Sequence, residues 1–151
     1  DDFIRWVEEN CQLWKVSSEE VSSLNAFFED INVMLAQGDI DGRHIQAMID
    51  RDGRKQLCLW FNGIHNLWSI YSRKKTGTEP FNKITLLKYL QDEPYYKEYT
   101  ANKISFNGDR RKAHVIDVET ATETIQEIFE IQLETQRRRD AFAYKQTNPY
   151  A

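Results

Sequence analysis

The sequence predicts an α+β fold, and three observations carry that prediction. Apolar residues recur at helical spacing in several stretches, the turn dipeptides Asp52-Gly53 and Asn107-Gly108 separate short extended runs, and Gly77, Pro80 and Pro94 punctuate the middle of the chain. With 151 residues, 40% of them apolar and 29% charged, the composition is that of one globular domain with a sizeable core.

The elements follow in order. Phe3, Trp6, Val7, Leu13 and Trp14 stand at roughly helical spacing, so residues 1–17 are expected to form a short helix or linker from an upstream domain. Ser17-Ser18-Glu19-Glu20 is a capping sequence for a helix over 18–37, in which Val21, Leu24, Phe27, Phe28, Ile31, Met34 and Leu35 make the apolar stripe; Gly38 ends it. Residues 44–50 and 55–61 read as a hairpin around Asp52-Gly53. Asn62 is expected to cap a helix over 62–75 with Ile64, Leu67, Trp68 and Tyr71 inward. Asn82 is expected to cap a third helix to residue 92, with Ile84, Leu87 and Leu90 inward and Lys83, Lys88 and Gln91 outside. Residues 95–106 and 111–118 read as two strands joined by Asn107-Gly108-Asp109-Arg110. A long helix then runs from Glu119 to about Ala143, with Ile125, Ile128, Phe129, Gln132 and Leu133 in a stripe and Arg137-Arg138-Arg139 near its end.

This order of helix, strand, helix, helix and basic hairpin is that of a winged helix-turn-helix over residues 18–118. To it are added an extra N-terminal helix, an additional β-hairpin strand and a long C-terminal helix and tail over 119–151. In such a unit the third helix enters the major groove and phosphate contacts hold it there.

The charge pattern agrees with that geometry better than the whole-chain value does. A formal net charge of −4 argues against a nucleic-acid partner. Residues 71–115, however, hold ten basic and five acidic groups, between arms of net −6 and −3. The candidate phosphate contacts in that segment are Arg73, Lys74 and Lys75, Lys83 and Lys88, and Arg110, Arg111 and Lys112, while Thr85 and Gln91 are candidates to face bases. The competing reading is that these cations pair with the acidic arms.

Residues 57–117 also carry a resemblance. Phe61, Ile64 and Tyr71 follow an apolar strand, Gly77 and Pro80 frame a Gly-x-x-Pro segment, Leu86-Leu87-Lys88-Tyr89-Leu90 follows, and a hairpin bears Arg110-Arg111. The stretch resembles the C-terminal winged-helix domain of phage, plasmid and genomic-island primase-helicases. The resemblance implies single- or double-stranded DNA as partner, an upstream AAA+ motor in the same parent chain, and a role in replicating a mobile element. The chain's start at Asp1 instead of Met fits a piece of such a protein.

No catalytic pattern is evident. HExxH, GxSxG, P-loop and GxGxxG sequences are absent, and no cofactor is expected. His44, His65 and His114 read as structural, and Asp39, Asp41, Asp50 and Asp52 as turn residues without EF-hand spacing. Cys11 and Cys58 read as buried thiols. No apolar run approaches a membrane span and no signal peptide is seen, so a cytoplasmic protein is expected. Trp60 or Phe61, Trp68 and Phe81 are expected in the core. Tyr95, Tyr96 and Tyr99 cannot all face one side of a strand, which leaves some of them free to stack on unpaired bases. The sequence thus points to a non-catalytic DNA-binding module. The alternative is a protein-interaction module that associates with itself or a partner through Ile125 and Phe129 of the last helix.

Overall fold

A computed structural model describes the backbone of residues 2–77 and 80–147, with side chains over 20–77 and 80–142. Helix α1 (Asp2–Gln37) is one helix of 36 residues. It passes through Ser17-Ser18 without the break expected there. A serine costs only about 0.5 kcal/mol inside a helix, and neither glycine nor proline interrupts the run. Cys11 and the side chains from Phe3 to Trp14 lie outside the described residues. In the second half of α1, Leu24, Phe27, Phe28, Ile31 and Met34 are buried, and Gly38, in the left-handed region at φ 82°, ends the helix.

Strands β1 (Ile45–Ile49) and β2 (Lys55–Leu59) form the expected hairpin. Its turn is held by Asp50 Oδ1, which accepts from the backbone N–H groups of Asp52 and Arg54, both at 2.9 Å. Helix α2 (Phe61–Thr76) starts one residue before Asn62, which is therefore not its cap. Trp60 takes that position without a side-chain hydrogen bond, because β2 feeds directly into the helix. Gly77 at φ 70° returns its N–H to the Arg73 carbonyl and closes α2. Helix α3 (Lys83–Gln91) is capped as expected, Asn82 Oδ1 accepting from Thr85 N at 2.9 Å.

The region read as two strands contains four: β3 (Tyr96–Tyr99), β4 (Ile104–Phe106), β5 (Asp109–Arg111) and β6 (His114–Asp117). A short 3-10 turn at Val118–Thr120 leads into α4 (Glu123–Thr147). The main sheet is antiparallel with order β1-β2-β6-β3, while β4 and β5 pair only with each other.

The two faces of this sheet have different cover. Ile45, Ala47, Leu57, Leu59 and Ile116 face the helices and join one core with α1, α2, α3 and α4. Cys58 and Val115, one residue out of phase, face the other way and are covered by the β4–β5 hairpin through Phe106, which is fully buried. Burying that ring is the physical reason the hairpin folds back onto the sheet. Its tip turns at Asn107 (φ 55°) and Gly108 (φ 103°).

Ile125, Ile128 and Phe129 of α4 are 0% exposed within this core. The stripe read as an association face is thus internal. Further along α4, Gln136 accepts from Ala47 N at 2.8 Å and donates to Ala47 O at 3.0 Å. Its amide thereby occupies the open edge of β1 as another strand would, which blunts an edge that could otherwise pair with a second chain.

Candidate nucleic-acid interface

Helix α3 presents a narrow outward row. Leu86 and Leu90 are fully buried, so the opposite side of the helix carries Ile84, Lys88 and Gln91 at i, i+4 and i+7. Lys83 is also exposed. Ile84 is 76% exposed, contrary to the inward position expected for it, while Leu90 is buried and Leu87 packs against the core as expected; Leu86 takes the buried place instead of Ile84. Phe81 is likewise outside the core, 46% exposed. Its ring meets the edge of Tyr89 at 6.1 Å between centroids, and its carbonyl lies 2.9 Å from His65 Nε2. Thr85 is half-buried, whereas Gln91 is exposed at the C-terminal end of the row. Of the two candidates to face bases, only Gln91 is open to solvent.

At the end of α2, Arg73, Lys74 and Lys75 are exposed. Lys75 Nζ donates to Asp30 Oδ1 at 2.8 Å, and this bond with the carboxylate's charge raises the lysine's pKa. Asp30 is only 8% exposed and also accepts from the indole N–H of Trp68 at 3.1 Å. This ion pair ties the basic segment to an acidic arm. Lys74, Lys83, Lys88, Lys97, Lys103 and Lys112 make none among the described residues. The expected competition from the arms is therefore small at the level of direct contacts.

The hairpin carries the third group. Arg110 donates to the Lys103 carbonyl at 2.9 Å, and Lys112 is exposed. Arg111 points elsewhere. Its guanidinium carbon lies 3.6 Å from the centroid of the Trp60 ring, which is stacked parallel to His44 at 5.9 Å. A Cβ at Gly63 would stand 2.4 Å from that same indole, so only glycine admits it there. A Cβ at Gly42 would collide with Asn107, whose side-chain oxygen accepts from Gln46 at 3.2 Å. The hairpin is thus pinned to the sheet by Arg111 at one position and by its tip at another.

These positions divide the predicted site. Arg73, Lys74, Lys75, Lys83 and Lys88 belong to helices that pack on one face of the sheet, and Arg110, Arg111 and Lys112 to the hairpin covering the opposite face. The wing and the third helix do not make one continuous surface. Sequence alternation places charges on a hairpin but does not say that the phenylalanine just before its tip will turn it over.

The aromatic and titratable groups are mostly structural. Tyr95 is buried and its pKa is raised by that burial. The Tyr96 hydroxyl meets His114 Nδ1 at 2.8 Å, and Tyr99, 54% exposed, leans on the same imidazole at 4.5 Å between centroids. Burial lowers the pKa of His114 and of His44, the latter against an opposing pull from Asp41. Asp41 accepts from both the backbone and the guanidinium of Arg43, and the side-chain bond lowers its pKa. Cys58 is 2% exposed and burial pushes its thiol up to about 12, so it is unreactive near neutral pH. Among the described residues no group of His, Cys, Asp and Glu is arranged to hold a metal ion, and no helix is long and apolar enough to cross a membrane. Compared with protein-family models, curated proteins and solved structures, the chain shows no significant match.

Proposed function

We propose that this chain is a non-catalytic DNA-binding module of winged-helix type, with α3 and the end of α2 as its principal contact with phosphates. The order of elements supports the reading. β2 lies between α1 and α2 in sequence, α2 and α3 follow each other through a short connection, and β6 sits between β2 and β3 in the sheet. That order is the one a winged helix would have, with β1 added outside β2 and with a hairpin that lies on the sheet instead of projecting. The observation that carries the proposal is the set of exposed, unpaired lysines Lys74, Lys83 and Lys88 around α3, in a chain whose net charge is −4. Arg110 and Lys112 offer a second, separate contact. A parent protein with an upstream AAA+ motor, working in the replication of a mobile element, rests on the family resemblance of residues 57–117.

The test is titration of labelled DNA followed by fluorescence anisotropy over a range of salt. Binding driven by phosphate contacts weakens linearly in log salt, and each lost contact reduces the slope by about 1. The Lys83→Glu, Lys88→Glu double variant is expected to reduce the slope by about 2, and Arg110→Glu, Lys112→Glu by less. Absence of DNA affinity at low salt refutes the proposal.

A further inference from the structure

We infer that the α3 surface takes DNA through unpaired bases, with Phe81 and Ile84 in apolar contact with the bases and Lys83 and Lys88 on the flanking phosphates. The inference rests on the DNA-binding reading above and specifies its substrate. A duplex offers base edges, which are read by hydrogen-bonding side chains in the groove. The N-terminal half of the outward row of α3 has little to offer them. Thr85 is half-buried, Gln91 stands at the far end of the helix, and the most exposed large apolar side chain described is Ile84 at 76%, with Phe81 at 46% three residues before it. Both lie at the N-terminal end of the helix, and Lys83 adjoins Ile84 while Lys88 stands one turn further on the same side. Apolar groups flanked by cations match a strand whose bases are splayed from its backbone. The charges meet phosphates, and the apolar surface meets base faces that any sequence supplies. The same apolar groups would be a liability on a surface that met only phosphates.

The experiment compares a labelled single-stranded oligothymidylate with a blunt duplex of equal length, using the full chain at low salt. The single strand is expected to bind more tightly. Ile84→Ser and Phe81→Ala, each confirmed folded by circular dichroism, are each expected to weaken single-strand binding by about tenfold without changing the salt slope, and to leave duplex binding unchanged. Phe81 also touches Tyr89, so Ile84→Ser decides the matter should Phe81→Ala disturb the fold. Equal or tighter binding of duplex, or wild-type single-strand affinity in Ile84→Ser, overturns this inference and leaves the DNA-binding reading standing. An Ile84→Ser variant that changes only self-association in light scattering has the same force, since it marks the patch as a protein contact. Failure to bind either DNA overturns both readings together.

Discussion

Replacing Phe129 by alanine decides whether the apolar stripe of α4 serves this fold or a second chain. Phe129 is 0% exposed, with Ile125 and Ile128 equally buried beside it, and the Lys55 ammonium lies 5.7 Å from its ring centroid. Truncating a buried phenylalanine loses its transfer free energy and leaves a cavity, together about 3–5 kcal/mol. A domain has only about 5–15 kcal/mol of stability, so the variant retains a fraction of it. With an m-value of about 2 kcal/mol/M in urea, the unfolding midpoint falls by about 1.5–2.5 M. Tryptophan fluorescence reads the transition, since Trp68 is buried in the same core and Trp60 borders the second. The titration is run at two protein concentrations, and the midpoint is expected not to depend on concentration in wild type or variant. A midpoint that moves by less than about 0.3 M, together with loss of a dimer present in the wild type, refutes the assignment of α4 to the core.

Two further expectations concern buried polar groups. Asp30→Ala strips the Trp68 indole N–H of its partner inside the core and is expected to cost about 1.5–3 kcal/mol in urea unfolding, whereas Asp30→Asn, which keeps an acceptor, is expected to cost less. Equal losses in the two variants would contradict the role given to that bond. The lowered pKa values of His44 and His114 set a direction for acid sensitivity. Each remains neutral in the fold at pH values where the unfolded chain, near pKa 6.5, takes up a proton, so stability is highest above about pH 6.5 and falls as pH drops through and below it. His114→Gln is expected to flatten that dependence between pH 7 and 5 in thermal melts, and an unchanged profile counts against the assignment.

The parts of this fold that the sequence made legible are those fixed by single residues acting locally. Asp52-Gly53 between two extended runs, Asn82 before a short helix and Gly77 after a long one each work through their own backbone and two or three neighbours, so their effect can be read without knowing the rest. The misplacements come from context beyond the residue itself, most of it tertiary. Ser17-Ser18 is a good cap, yet the helix continues across it because a cap gains nothing where the preceding turn is already helical. Ile84, Leu87 and Leu90 fit a helical stripe as well as Leu86 and Leu90 do, and only the packing of α1 against α3 buries Leu86 and Leu90 and leaves Ile84 outside. The stripe on α4 was correctly seen as apolar, but whether its partner is the same chain or another is not a property of the stripe. The cationic residues were found by composition. Their division between two faces of the sheet depended on Phe106, whose burial turns the hairpin over.

On the DNA-binding reading proposed above, that division alters what the net charge of the chain means. Glu119, Glu123, Glu127 and Glu130 line a groove along α4 with Lys55, while Lys83 and Lys88 stand on α3, and α1 packs against both helices. The two charge sets therefore stand on separate helices that each pack against α1, and packed helix axes lie about 8–10 Å apart. At physiological ionic strength the screening length is about 8 Å, so the acidic groove is largely hidden from a phosphate on α3. At 0.01 M salt it is about 30 Å, and the carboxylates then repel the same phosphate across the domain. Lowering the salt strengthens each lysine contact and also uncovers this repulsion. The two effects oppose each other, so the salt slope of DNA binding is expected to fall short of the number of lysines in contact. A charge reversal on α4 that raises affinity at 0.01 M salt but not at 0.15 M would display that repulsion directly.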